Sequence, residues 1–286
     1  MAGSASIALL TDSGTNVPAE ICASAGILCA SLRINYPRDQ YRDGVDITAG
    51  EIQARFAQEV PHTSTPSPQD IENLVQEALN EGRDHLLCVL TSSGLTSTFT
   101  VFESIMATHP EITAHLIDTK SIGAGAGINV CYASELIAQN TPWEQLIEKV
   151  QQAVDRSRVF FLVDTLDNLY RGGRINKAIY SLGSVLNLKP IITCGATGAY
   201  EVAGKARGRM KAIRKEIELV HEVISQSKRY RIGFATCACT DRERILDKMR
   251  TAFPAAERFD DFGEISAALS VHTGPGMVGI TVQPLA

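Results

Sequence analysis

Ser67-Pro68-Gln69-Asp70-Ile71-Glu72-Asn73-Leu74-Val75-Gln76-Glu77-Ala78-Leu79 is followed, after a short polar stretch, by Leu86-Leu87-Cys88-Val89-Leu90-Thr91-Ser92-Ser93-Gly94. The first part carries the marks of a helix. Ser67 stands as the cap, Pro68 fits the first turn, and Asp70 adds a carboxylate where the helix dipole favours one. Ile71, Leu74, Val75, Ala78 and Leu79 then recur at the 3.6-residue period. The second part is a short, unbroken apolar run ending in hydroxyls and a glycine, which reads as a buried strand and a turn. A helix feeding a buried strand is the unit of a layered α/β protein.

The same alternation extends in both directions. Apolar runs predict strands at 7–10, 27–34, 86–90, 115–117, 159–163, 190–193, 232–236 and 278–282. In the last, Val278, Ile280 and Val282 alternate, as in a strand with one buried face. Thr141-Pro142-Trp143-Glu144 and Thr240-Asp241-Arg242-Glu243 read as capping boxes, and a further helix is expected to begin near Thr96. The pattern predicts α/β layers with a largely parallel sheet. Asp155-Arg156-Ser157-Arg158 closes a helix before a new strand, so a domain boundary is expected there, dividing the chain into 1–157 and 158–286.

A chain of 286 residues is long enough for one large domain or two modest ones, and 44% apolar residues supply a real core. Lys and Arg total 27 against 32 Asp and Glu, and a net charge of −5 gives no support to a nucleic-acid partner. The cysteines are Cys22, Cys29, Cys88, Cys131, Cys194, Cys237 and Cys239. Most lie in apolar runs, where cysteine behaves as a small hydrophobe. Cys237-Ala-Cys239 could be a redox or metal pair, but no His follows nearby, and the expectation is buried strand residues. No apolar run reaches the ~18 residues of a membrane span, and the N-terminus has no basic segment before an apolar core. A cytoplasmic protein with reduced thiols is expected, with no metal and no cofactor.

Open α/β sheets bind ligands at the carboxyl ends of their strands. Thr11-Asp12-Ser13-Gly14, Thr91-Ser92-Ser93-Gly94 and Asp118-Thr119-Lys120-Ser121 all fall there. Each could be a turn with capping hydroxyls. Three at equivalent strand ends point to a hydroxyl-lined anion pocket. In His62-Thr63-Ser64-Thr65-Pro66-Ser67-Pro68 the cap accounts for Ser67 and leaves Thr63, Ser64 and Thr65 free to face a ligand. Gly123-Ala124-Gly125-Ala126-Gly127 lacks the third glycine of a dinucleotide fingerprint, because Ile128 and Val130 stand at the required places. Close helix–strand approach is the simpler reading. Gly198 and Gly204 are misplaced for a phosphate loop, and no nucleophile elbow is present.

Arg171-Gly172-Gly173-Arg174 allows a tight turn and close approach to a neighbour, its arginines being either solvated or functional. Six basic residues crowd 205–215, among them Arg207, Lys211 and Lys215 on one helical stripe. This is either a solvated face or a dock for an acidic partner or phosphate. His272, in Val271-His272-Thr273-Gly274-Pro275-Gly276, could bond a carboxylate, act as a base or cap a turn.

Taken in order, the motifs resemble those of the DegV family, bacterial fatty-acid-binding proteins best known as the acyl-binding subunit of a fatty acid kinase. The matching pieces are Thr11-Asp12-Ser13, Tyr41-Arg42-Asp43-Gly44-Val45-Asp46, Thr63-Ser64-Thr65-Pro66-Ser67, Ser92-Ser93-Gly94-Leu95 and Asp118-Thr119. They continue with Gly172-Gly173-Arg174, Leu188-Lys189-Pro190-Ile191 and His272-Thr273-Gly274-Pro275-Gly276. The resemblance implies two α/β domains, a parallel-sheet N-terminal one and a C-terminal one with a mixed sheet. It implies a long-chain fatty acid buried between and within them. Its carboxylate is expected at Thr63, Ser92 or Ser93, and His272. Arg174 and Arg207 are expected near the mouth, facing a separate ATP-dependent kinase that forms the acyl phosphate. Three departures bear on the acyl preference: Ser97 where the family often has Gly, Thr65 where Gln is frequent, and Thr119 where Ser is usual.

A competing reading is an acyl or phosphoester hydrolase, with Ser92 or Ser93 as nucleophile, His272 as base and Asp118 as orienter. A third is a regulatory protein that senses lipid.

Overall fold

The computed structural model describes residues 6–56, 58–182 and 187–285. The reading of the N-terminus includes residues 1–5, which lie outside the described residues. In chain order the strands are β1 (Ile7–Asp12), β2 (Ile27–Ala30), β3 (Arg33–Asn35), β4 (Gln40–Arg42), β5 (His62–Ser64), β6 (His85–Leu90) and β7 (Thr113–Asp118). They continue with β8 (Arg158–Leu162), β9 (Leu188–Cys194), β10 (Tyr200–Arg207), β11 (Tyr230–Cys237), β12 (Arg258–Glu264) and β13 (Met277–Pro284).

Strands in the order β2-β1-β6-β7 make a fully parallel sheet. Its two faces explain the unbroken apolar run of β6: Leu86, Cys88 and Leu90 enter one core, and Leu87 and Val89 enter another. Strands in the order β10-β9-β8-β13-β11-β12 make a mixed sheet, parallel at β11–β12 and antiparallel at its other pairs. A small antiparallel sheet, β4-β3-β5, completes the set. The fold is α/β, with a parallel sheet built from the first part of the chain and a mixed sheet from the second.

Helix Ala124–Ala138 lies between the two large sheets and is buried along most of its length. Val130, Ala133 and Leu136 join the core of the parallel sheet, while Ala124, Ile128 and Cys131 join that of the mixed sheet. Its glycines permit this. A Cβ added at Gly125 would lie 2.6 Å from Val159 Cβ, and one at Gly127 would meet the Thr15 carbonyl and Phe262. The Gly-Ala-Gly run therefore serves close packing.

Three sequence expectations change. The predicted strand 27–34 divides, because the Leu32 N–H donates to Ser13 Oγ at 3.0 Å instead of entering a ladder. That break sends β3 into the small sheet. The proposed boxes at Thr141 and Thr240 do not form: helix Trp143–Arg156 starts after Pro142 and helix Arg242–Ala252 after Asp241, neither with a side-chain cap. The carboxylate of Asp241 is held by Arg209 and Arg244. A box that the sequence reading missed joins Thr48 and Glu51 at helix Ala49–Arg55, whereas the Ser67 cap forms with Asp70 at helix Pro68–Asn80. The helix expected near Thr96 runs Thr98–Met106.

One late element returns to the start of the chain. Ala267, Ala268 and Val271 of helix Ala267–Thr273 pack with Leu32, Ile34 and Ile52 in one buried cluster. This packing sets His272 against β5.

Candidate functional site

A cavity of about 840 Å³, its open mouth included, lies where the three sheets meet. The wall is mostly apolar: Leu32, Leu95, Ile122, Val159, Phe161, Ala235, Ile265, Leu269 and Met277 all face it. Polar groups reach it from Thr63, Ser64, Thr91, Thr96, Arg174, Tyr200, His272 and Thr273.

Thr63, Arg174 and His272 also line a second cavity, which adds His62, Asn168, Arg171 and Gly172. These three side chains therefore form a polar partition between an apolar chamber and a polar one. Thr63 is held by β5, paired across to Ile34. Its Oγ lies 2.8 Å from His272 Nε2. His272 occupies the last turn of helix Ala267–Thr273, where Gly274 at φ 70 ends the helix. Arg174 donates to the Gly172 carbonyl at 2.6 Å. A Cβ at Gly172 would collide with His272 Nδ1, so the glycine makes room for the imidazole.

Burial, then the Arg174 charge, then His62, push the His272 pKa down to about 3. The ring is neutral at ordinary pH and carries one N–H. Nδ1 is buried without a partner. A buried N–H left unpaired is rarer than an unpaired acceptor, so the proton is assigned to Nε2, donating to Thr63 Oγ. The Thr63 hydroxyl hydrogen is then available to a ligand.

The strand-end hydroxyls are arranged differently. Asp12 is buried and accepts from the Thr91 N–H (2.8 Å), Thr91 Oγ (2.8 Å) and the Gly14 N–H (2.9 Å). Burial raises its pKa to about 6, against the lowering effect of those donors. Thr11 Oγ donates to the Val89 carbonyl at 2.8 Å and Ser13 Oγ to Asp43 at 2.7 Å. In the third cluster Thr119 Oγ donates to the Leu90 carbonyl at 2.8 Å, whereas the buried Ser121 Oγ has no partner among the described residues. Most of these hydroxyls are engaged within the protein, and Thr91 lines a different cavity from Thr119 and Ser121, so the three clusters do not form the expected common anion pocket.

The two serines follow suit. Ser92 Oγ is buried and donates to the Gly198 carbonyl at 2.9 Å, pinning the turn between β9 and β10. Ser93 Oγ donates to Asp118 at 2.6 Å on the surface. Neither lines the apolar cavity, where Thr91 stands instead. The Ser–His–Asp relay is likewise not assembled. Asp118 bonds Ser93, and His272 Nε2 bonds Thr63.

Arg207 sits exposed at the end of β10 and lines neither chamber. The basic run also departs from a single helical stripe: Lys205 and Arg207 lie on that strand, and helix Arg209–Ile224 begins after them. Arg209 bonds Asp241 and Lys215 bonds Glu218. Cys239 lies beyond the end of β11, half-buried and 2.9 Å from an Arg209 nitrogen, rather than within the strand. Among the described residues no cluster of His, Cys, Asp and Glu is placed to hold a metal, and no helix is long and apolar enough to cross a membrane. Sequence reasoning missed His62 and Arg171 as neighbours of the partition. The signal available for Arg171 was the Gly-Gly turn, whose close neighbour proves to be His272.

The family model described as "Uncharacterised protein, DegV family" matches residues 6–285. A DegV domain-containing protein of Clostridium acetobutylicum is 33% identical over 278 residues, covering 96% of this chain and 98% of that protein. Among solved structures, a DegV family protein from Thermus thermophilus, described by its fatty acid binding, superimposes with a TM-score of 0.89 at 32% identity. The match covers 98% of this chain and 99% of that one. DegV of Bacillus subtilis, described as a fatty acid binding protein, gives a TM-score of 0.86 at 25% identity, with the same coverage of 98% and 99%.

Proposed function

This chain belongs to the DegV family, and from that premise we propose that it binds a long-chain fatty acid. The tail occupies the apolar cavity and the carboxylate meets the Thr63 hydroxyl, which His272 orients. The observation that carries this reading is the partition itself, an apolar chamber ending at the Thr63 hydroxyl, whose oxygen lies 2.8 Å from His272 Nε2. Burying the tail supplies the affinity: at ~0.8 kcal/mol per methylene, about 14 methylenes give on the order of 11 kcal/mol gross. The head group then needs orientation more than strength. A hydroxyl oriented by a neutral imidazole holds a carboxylate without fixing it as a guanidinium would. Ser92 and Ser93 are left out of this site because Gly198 and Asp118 engage their hydroxyls.

The presented carboxylate is the substrate of a separate ATP-dependent kinase that forms the acyl phosphate. Arg174 at the partition and exposed Arg207 are its contacts on this chain. The chain acts as a carrier, not as a hydrolase, a reading supported by the separation of Asp118 and Ser93 from His272's bonding partner.

Native mass spectrometry of the purified protein tests the binding. The expected result is a bound mass equal to a long-chain fatty acid. An empty protein that steadily turns over acyl esters would instead favour the hydrolase.

A further inference from the structure

We propose that Gly279 sets the length of acyl chain that the apolar cavity accepts. The inference rests on the fatty-acid reading and names the residue that limits the tail. Along β13, Val278, Ile280 and Val282 turn into the core on one face of the mixed sheet, while Met277 and Gly279 turn to the other face and line the cavity. Gly279 pairs with Phe161 of β8 and Ala235 of β11, and all three line the cavity in one row across three strands. Thr281, the next residue on that face, does not line it and donates instead to the Arg158 carbonyl at 2.9 Å. Met277 begins the strand just after the turn that holds His272, so Gly279, about 7 Å farther along, is the last β13 residue on the wall.

Among the described residues, neither conformation nor packing requires a glycine at this position. Gly279 is buried, and its φ is not positive. A Cβ added there would lie 3.5 Å from Met277 Sδ, 3.6 Å from Phe161 Cβ and 3.7 Å from the Ala235 carbonyl, all ordinary contacts. Gly233, on the neighbouring β11, is the opposite case: a Cβ there would come within 2.5 Å of Thr281 Cγ2 and 3.0 Å of the Phe262 ring. Gly233 makes room for the protein itself. A glycine inside a strand weakens it and marks a place where something approaches the bare backbone closely. At Gly279 the open side faces the cavity, so the space belongs to the tail. The gap is bounded on one side by Phe161, whose ring meets that of Tyr200 edge-on with centroids 5.3 Å apart.

The experiment measures binding of saturated fatty acids from ten to eighteen carbons, by displacement of a fluorescent fatty acid, in wild type, Gly279→Ala and Gly279→Leu. Thermal unfolding of each protein stripped of lipid is followed alongside. The proposal expects Gly279→Leu to weaken the longest acids at least tenfold, since two methylenes denied burial are worth about that much. It expects the ten-carbon acid to stay within twofold. Gly279→Ala should shift the profile the same way by less. Stripped Gly279→Ala should unfold at or above the wild-type temperature, because the added Cβ meets no clash and removes freedom from the unfolded chain.

An unchanged ratio of long-chain to short-chain affinity in both variants overturns the proposal, as does an equal loss at every length. A stripped Gly279→Ala less stable than wild type overturns it too, since the glycine would then serve packing. If Gly279→Leu does not fold, Gly279→Ala decides by the same ratio. A wild-type protein that binds none of the acids defeats the fatty-acid reading and this inference with it. One that binds them, with a length profile that neither variant moves, defeats this inference alone.

Discussion

The cluster around Asp12 and the pair formed by Thr63 and His272 are made of similar groups, hydroxyls beside a titratable side chain, yet they do opposite things. At the end of β1, three donors converge on one buried carboxylate, so every hydroxyl in reach has a partner. In the middle of β5, one neutral imidazole meets one hydroxyl, which leaves a hydroxyl hydrogen and a ring nitrogen over. A rich supply of hydroxyls therefore marks a structural joint or a binding site equally well. What separates them is whether the protein contains enough acceptors to use up the donors.

This contrast is open to attack at several points. The largest effect is expected at the closed cluster. Asp12→Ala strands three buried donors, at ~1–3 kcal/mol each, and several kcal/mol of stability is the expected loss in urea denaturation. A variant as stable as wild type would remove Asp12 as the anchor of that joint. At the open pair, His272→Ala removes the imidazole that orients the Thr63 hydroxyl, and fatty-acid binding is expected to weaken by up to roughly tenfold, the worth of about 1.4 kcal/mol. The fold is expected to stay intact. Displacement of a fluorescent fatty acid measures the affinity, and unchanged affinity would take His272 out of the carboxylate site.

The two regions also predict opposite pH behaviour. His272 is depressed from 6.5 to about 3, so between those values the unfolded chain binds the extra proton, and this group makes stability rise with pH up to about 6.5. Asp12 is raised from 3.8 to about 6, so the folded state holds the proton longer, and its contribution falls as pH climbs through that interval. Denaturation at pH 4.5 and 7 is the measurement. His272→Gln should flatten the rise and Asp12→Asn should steepen it. No change in either slope would mean that these groups do not set the pH dependence. The smallest effect is expected from Ser93→Ala, which removes one exposed bond to Asp118. Fatty-acid affinity should move less than twofold, and a tenfold loss would return Ser93 to the head group.

Much of the fold could be read along the chain because its signals are local. A run such as 86–90 needs two buried faces wherever it lies, and Ser67 caps its helix with a partner three residues away. Gly125 and Gly127 were legible as close-approach glycines for the same reason, since the lack of a side chain is local. The break at Leu32 and the empty caps at Thr141 and Thr240 were not. Each depended on a competing partner far along the chain, or on a proline that started the helix elsewhere.

The candidate site divides in the same way. His272 and Thr63 could be singled out by type and setting, and the order of motifs tied them to one family. That they touch is a tertiary fact: 209 positions separate them, and only the return of helix Ala267–Thr273 to the small sheet brings them together. Tertiary structure also decided which hydroxyls remain free. Ser92 and Ser93 look like ligands in one dimension because Gly198 and Asp118 are absent from the local sequence. The sequence by itself determined the alternation of buried strands and helices, since burial patterns are written residue by residue. The two chambers and the partition between them were decided by packing, because a cavity exists only between segments.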